Sequence, residues 1–473
     1  MAEAFGAYLG GTLFTGTLRV LSPLHLGAGF DEALAEEGDG KTAQIVLGVE
    51  DLPVITATAL KGAMRALLDD ATAKLVFGAR PGRDGSGGMA GCLTPYAARM
   101  TKPAPIAGRV EPDRMKNPSH GTYRAVRTAI DPAFGVPQDH LLINAEMVGV
   151  GAEFAFRLRL MDEPGRITSA QRLAVAGLLR CLRQDGLRLG RGRGDGQGRV
   201  ILSALSDVAC WRVENGQVER WSALPTWEGT ISDATPFAPG AIARRRLLLT
   251  SEVPFTIQAS DDEAPANAEQ RSNKSLRDGE GVPELPGSSL MGALRARADW
   301  LHRLRLLRGE ATVDDDLILA ELFGLTATQQ RDAAFVGRLG KRIGRATAEI
   351  TGFAGVLVVD DIAVAGHRQV EMTAVKLDRF TQSPMDGALF TTQGFMTEGI
   401  TVRLRLRALA PEGADDAFLA RHKVGVRTEA LIRWLDVLLD DIRADGPRQG
   451  LRLGHGGNRG FGWFHLAEVT DDP

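Results

Sequence analysis

The alternation of apolar and polar positions divides the chain into two runs of the same elements in the same order. TLFTGTLRVLSPLHLG (12–27) and RRLLLTSEVPFTIQ (245–258) each carry a strand-like period of two. After an irregular stretch, TALKGAMRALLDD (58–70) and SSLMGALRARADWLHRL (288–304) switch to a helical period. Leu60, Met64, Leu67 and Leu68 share one helical face, while Lys61 and Arg65 lie four apart on another. Thr58 and either Ser288 or Ser289 are the expected N-caps. Extended segments follow, EFAFRLRLM (153–161) in the first half and GVLVVDDIAV (355–364) with VRLRLRALA (402–410) in the second. Second helices, AQRLAVAGLLRCLRQDG (170–186) and TEALIRWLDVLLDDIRADG (428–446), lead into LRLGRGRGDGQGRVIL (187–202) and LRLGHGGNRGFGWFHL (451–466). Each of these last segments is a glycine-rich loop ahead of a closing strand.

The correspondence holds position by position. Gly292 follows Gly62 by 230 residues, Phe323 follows Phe77 by 246, Asp378 follows Asp131 by 247 and Gly454 follows Gly190 by 264. An offset that only grows, with spacing kept inside each block, is what insertions into a duplicated scaffold leave behind. Strand, helix, strands, helix, strand is the ferredoxin-like plan. The sequence therefore predicts an α+β protein of two tandem ferredoxin-like (RRM-like) domains with long inserted loops. The Pro, Gly, Ser and Thr content of 221–243 breaks the periodicity. This places a first domain over 1–230, a linker over 231–243 and a second domain over 244–473. Residues 79–127 and 259–283 exceed ordinary connections and read as functional loops or disordered insertions.

Composition narrows the classes. With 473 residues, 44% hydrophobic and 24% charged, the chain is long enough for two full cores. No apolar run reaches membrane-spanning length and MAEAFGAYLGG lacks the order of a secretory signal, so a cytoplasmic protein without a membrane partner is expected. Cys92, Cys181 and Cys210 are scattered and read as buried small apolar residues. The formal net charge is −3, yet Arg188, Arg191, Arg193 and Arg199 crowd the first glycine loop. Nucleic-acid binding needs a local basic groove, not a basic total. Only nine of the 56 basic residues are Lys, which suits phosphate recognition by Arg, although codon bias gives the same ratio.

LHLGAGFDE, ALKGAMR, GSSLMGALR, LFG, AGVLVVDD, KLDRFTQSPMDGALF and the closing glycine loop together resemble the RAMP superfamily of CRISPR-associated proteins, specifically the backbone subunits of type III effector complexes. The likeness spans nearly the whole chain, once per half, as a fusion of two such subunits would. It departs from the family pattern where FTIQAS stands in place of LHLGAG, and where Met291 stands in place of a Lys.

The resemblance implies a guide RNA (crRNA), a target RNA and other CRISPR effector subunits as partners, with endoribonuclease cleavage of the target in the complex. A loop Asp after the first strand has the catalytic role in the family, and counting gives Asp31 and Asp262. Either could act as base or as ligand for a divalent metal ion, expected to be magnesium. Helix openings favour anions, so Lys61, Arg65, Ser288, Ser289 and Arg295 are expected to meet the guide backbone. Arg188, Arg191, Arg193, Arg452 and Arg459 would add charge beside the glycine loops, which either present N–H groups to phosphate or pack the last helix. The segments around Asp131 and Asp378 resemble the family's thumb-like hairpin. There Phe134 and Phe380 are candidate duplex wedges, or core residues, and Arg127 and Arg379 are phosphate contacts. The same superfamily also holds non-catalytic capping subunits and guide-processing nucleases. The latter usually rely on His, which makes His25 the discriminating position.

Overall fold

The computed structural model describes residues 10–28, 42–48, 50–79, 88–106, 115–130, 137–161, 168–190, 196–214, 217–235, 241–257, 270–273, 282–350, 352–410, 416–445, 450–457 and 460–471. Backbone contacts divide the chain into two compact units that meet in sequence at Gly240 and Ala241.

In the first unit, β1 (Gly10–Val20), α1 (Ala57–Arg65), α2 (Asp70–Phe77), β2 (Leu93–Pro95) and β3 (Ala98–Lys102) come first. A hairpin of β4 (Thr122–Ile130) and β5 (Pro137–Val148) and then β6 (Glu153–Leu160), α3 (Ser169–Gln184), β7 (Leu187–Arg188), β8 (Arg199–Glu214) and β9 (Gln217–Ser222) follow. The main sheet runs β7-β8-β1-β6-β3, with β9 on β8 and β2 on β6. Its central order, β8-β1-β6-β3, is the ferredoxin-like arrangement. Alternation decides which face is buried. Phe14, Phe154, Phe156 and Leu158 point to the helices and are fully buried with Leu60, Met64 and Val175. Thr15, Arg157 and Arg159 lie on the opposite face.

The stretch expected to be an irregular boundary instead contains α4 (Leu224–Asp233), which packs Trp227 and Ile231 into the first unit's core. Trp227 meets Phe14 edge to face at 4.8 Å. Pro225 at the start of this helix is a permitted helix opener, which the reading of Pro and Gly as breakers passed over.

The second unit repeats the plan with β10 (Ala241–Thr250), α5 (Gly287–Leu307), α6 (Asp315–Phe323), α7 (Ala333–Ile343) and β11 (Leu357–Val359). The hairpin β12 (His367–Leu377) and β13 (Pro384–Thr397), β14 (Ile400–Arg407), α8 (Val424–Ala444), β15 (Leu451–Arg452) and β16 (Trp463–Asp471) complete it. The sheet order β11-β14-β10-β16-β15 is the same arrangement, read from the other edge. Glu321, wholly buried on α6, is bracketed by Arg342 and by Arg427 at 2.8 Å, which ties α6, α7 and α8 together. Isolated in the core that carboxylate would be costly, so the two arginines are a condition of its burial.

Candidate nucleic-acid interface

One arrangement is built twice. After β1 the chain passes through Pro23, Leu24 and His25; after β10 it passes through Pro254, Phe255 and Thr256. The glycine loop of the same unit folds over each of these segments. Gly198 N–H donates to Pro23 O at 2.9 Å and Gly462 N–H donates to Pro254 O at 2.8 Å. Leu189 N–H donates to Gly198 O, and Leu453 N–H to Gly462 O, each at 2.8 Å. Gly190 and Gly454 have φ of 72° and 85°, and a Cβ on either would sit 1.9 Å from His25 O or 2.2 Å from Thr256 O. Only glycine fits such positions. These glycines therefore serve as a backbone clamp on the strand end, from which the chain runs on towards the acidic loops.

The side chains beneath the clamp differ. His25 is buried, and its Nδ1–H donates to Glu146 O at 2.8 Å. The Glu146 carboxylate accepts from Thr122 Oγ1 at 2.9 Å. In the second unit Phe255, at the position of Leu24, exchanges backbone hydrogen bonds with Phe395 and packs against Phe464 at 5.4 Å between ring centroids. Thr256 Oγ1, also buried, has no hydrogen-bond partner among the described residues.

The helix openings are capped from within the protein, and not by the expected residues. Thr56, not Thr58, accepts from Ala59 N–H at 3.2 Å. Pro286 is the N-cap position of α5, so Ser288 and Ser289 lie inside its first turn, both half-buried, and Asp361 Oδ1 accepts from Gly287 N–H at 2.8 Å. Arg65 donates to Gly78 O at 2.8 Å, which anchors α1 to the end of α2. Arg295 donates to Gln329 Oε1 at 3.1 Å, and burial pushes its guanidinium down from the ordinary value against the pull of Asp299. Both helix arginines are thus engaged with their own unit. Lys61 and Gly62 are exposed, as is Gly292, and beyond its own helix backbone a Cβ on either glycine would meet no atom of the described residues within 4 Å.

At the tip of the β12–β13 hairpin, Arg379 and Phe380 stand side by side, with Phe380 97% exposed. It is a wedge candidate and not a core residue. The tip is organised by Asp378, whose Oδ1 accepts from Thr381 N–H at 2.8 Å, Phe380 N–H at 2.9 Å and Thr381 Oγ1 at 3.0 Å. Those donors, Thr381 N–H first, hold the Asp378 carboxyl below its ordinary range. Arg452 is exposed beside the second glycine loop, its guanidinium 5.5 Å from the centre of the Trp463 ring, and Arg188 is half-buried on β7. Asp31, Asp262, Phe134, Arg191, Arg193 and Arg459 lie outside the described residues, as does the side chain of Arg127. Among the described residues no group of three His, Cys, Asp or Glu side chains could hold a metal ion, and no helix is long and apolar enough to cross a membrane.

No curated protein matches the chain. A family model described as the RAMP superfamily matches it twice, over residues 17–201 and 265–465. The first match runs from within β1 into β8 and takes in both sides of its clamp, whereas the second, which ends within β16, takes in the glycine loop of its unit but begins after Pro254 and Thr256. With both halves matched over most of their length, the chain belongs to the RAMP superfamily of CRISPR-associated, RNA-binding proteins.

Proposed function

We propose that the chain is a double backbone subunit of a type III CRISPR ribonucleoprotein, holding a guide RNA along its two units and cutting the paired target RNA at one acidic loop per unit. The observation that carries this reading is the pair of bare helix glycines. Glycine inside a helix costs roughly 1 kcal/mol relative to alanine. Gly62 and Gly292 lie at equivalent positions, with no left-handed φ and, among the described residues, no neighbour to require them. A polymer backbone passing close to each helix accounts for both. Lys61 in the first unit supplies charge there, and contacts of this kind are independent of sequence and weaken with salt.

Asp31 and Asp262 would act on the 2'-hydroxyl as bases, or as ligands for a divalent cation, expected to be magnesium, that stabilises the developing charge. The clamp supports this assignment, because it holds the strand end leading into each acidic loop in the same backbone course despite the change from LHLGAG to FTIQAS. His25 gives no comparable support to a guide-processing role, since it is buried with Nδ1–H committed to Glu146 O.

Cleavage of a guide-paired target by Asp31→Ala and Asp262→Ala tests the proposal. Loss of one cut position per substitution with target binding kept is the expected result, and unchanged cleavage overturns it. Guide affinity should fall in Gly62→Glu and Gly292→Glu while the fold is retained.

A further inference from the structure

The face of the first unit's sheet turned away from its helices carries arginines interleaved with aromatic rings. Strand register places them in rows. Arg159 stands opposite Leu13, which stands opposite Ala209, which stands opposite Ser222. In the next row Gly11 stands opposite Trp211 and Trp211 opposite Arg220. Beside Arg157, Tyr96 N–H donates to Arg157 O at 3.0 Å. The arginines lie over the rings, Arg157 at 5.4 Å from the centre of Tyr96 and Arg159 at 5.9 Å from that of Trp211. A Cβ on Gly11 would come within 2.8 Å of Trp211 Nε1, so the glycine is what lets the indole lie across β1. Tyr96, Arg159, Trp211, Arg220, Trp221 and Asp207 line an open cleft of about 810 Å³, with Arg157 beside it over the Tyr96 ring, and in the cleft Tyr96 is 37% and Trp221 49% exposed.

We infer that this cleft is a second nucleic-acid site, distinct from the helix glycines, which takes unpaired bases of a single strand. Flat rings with one face supported and guanidinium groups alongside suit base stacking, with phosphates meeting Arg157, Arg159 and Arg220. An acidic protein segment would use the arginines but would not call for exposed rings beside them. The arginine pair belongs to the shared scaffold, since Arg403 and Arg405 occupy the corresponding alternate positions of β14. There Arg405 is turned to Asp360 at 3.2 Å, so the cleft is a specialisation of the first unit. The inference rests on the proposed function only in that the strand reaching the cleft belongs to a nucleic acid the chain engages.

The test is binding of a labelled single-stranded RNA homopolymer to the full chain and to Gly62→Glu/Gly292→Glu, each with and without Arg157→Gln/Arg159→Gln. Residual binding in the helix double variant that drops about tenfold or more on adding the sheet substitutions supports the cleft. Absence of any such drop overturns it and leaves the helix reading standing. Binding that ignores the helix substitutions but falls with the sheet pair supports the cleft and overturns the helix reading. Trp211→Phe should keep most of the affinity that Trp211→Ala loses, which separates stacking from simple loss of fold. A duplex of the homopolymer with its complement should be indifferent to substitutions at all three sheet positions. If only an acidic protein partner, and no RNA, responds to them, the inference fails.

Discussion

The two units hold the same backbone clamp over different fillings. In the first, a buried polar peg of His25, Glu146 and Thr122 supports the strand end. In the second, Phe255, Phe395 and Phe464 form an aromatic plug, and Thr256 sits beneath the loop with its hydroxyl unmatched among the described residues. The hydrogen bonds from Gly198 and Gly462 to the two prolines are the same to within 0.1 Å. What duplication kept is the path of the main chain, enforced by glycines that admit no side chain. What it let drift is the side-chain chemistry underneath, where either hydrogen bonding or apolar packing fills the same space.

The sharpest way to break the comparison is to deny the clamp its glycines. Gly198→Ala and Gly462→Ala would each place a Cβ about 2 Å from a carbonyl oxygen, of Leu189 and of Leu453 respectively, at a left-handed φ. Each should destabilise its own unit by about 2–4 kcal/mol, read by denaturant unfolding with hydrogen exchange to locate the loss. Equal losses in the two units would show that the filling does not matter to the clamp.

The fillings themselves separate next. His25→Ala removes the donor to Glu146 O and should cost roughly 1–3 kcal/mol. Thr256→Val, by contrast, should be neutral or stabilising by about 1 kcal/mol, because a buried hydroxyl without a partner is replaced by a methyl group. A destabilised Thr256→Val would mean that the hydroxyl is satisfied after all, and the contrast between the units would collapse.

Smaller still, Gly62→Ala and Gly292→Ala should each raise thermal stability, by about 0.5–1 kcal/mol, because the helix gains propensity and the new methyl meets open space. A loss of stability in either would place a neighbour at that face and remove the argument for a close-passing polymer.

The smallest effect belongs to the hairpin tip of the second unit. The folded carboxyl of Asp378 titrates below its unfolded value, so its contribution is present above the unfolded pKa of about 3.9. It is lost as pH falls through the lower, folded value. Protection of the Thr381 amide, its exchange rate relative to that of an unstructured amide at the same pH, should therefore hold at neutral pH and fall only in acid, and Asp378→Asn should lower it at neutral pH with little further change in acid. Exchange at Thr381 that is indifferent to both would detach Asp378 from the order of the wedge.

Much of this architecture is legible in the chain. Strict alternation in FRLRL and VRLRLR put one set of side chains in each core and the arginines outside, and the repeated order of elements carried the two ferredoxin-like sheets. Helix starts were less legible, because a cap is chosen by the backbone angle of one residue. Thr56 and Pro286 take extended angles, so Thr58 and Ser288 fall within the helices. Nor did the glycine loops announce which of their two readings holds for a given residue: Gly190, Gly198, Gly454 and Gly462 face carbonyls of their own unit.

By itself the sequence determined the duplication, the faces of strands and helices, and the residue types available for binding RNA, since these depend on local period and composition. Only the tertiary structure decided which of those residues are already engaged. Arg65 and Arg295 spend donors on Gly78 and Gln329, while Lys61, Gly62 and Gly292 remain open. It also assembled Tyr96, Arg159, Trp211 and Arg220 into one cleft, because strand pairing brings together residues more than a hundred positions apart, and no local pattern records which strands will be neighbours.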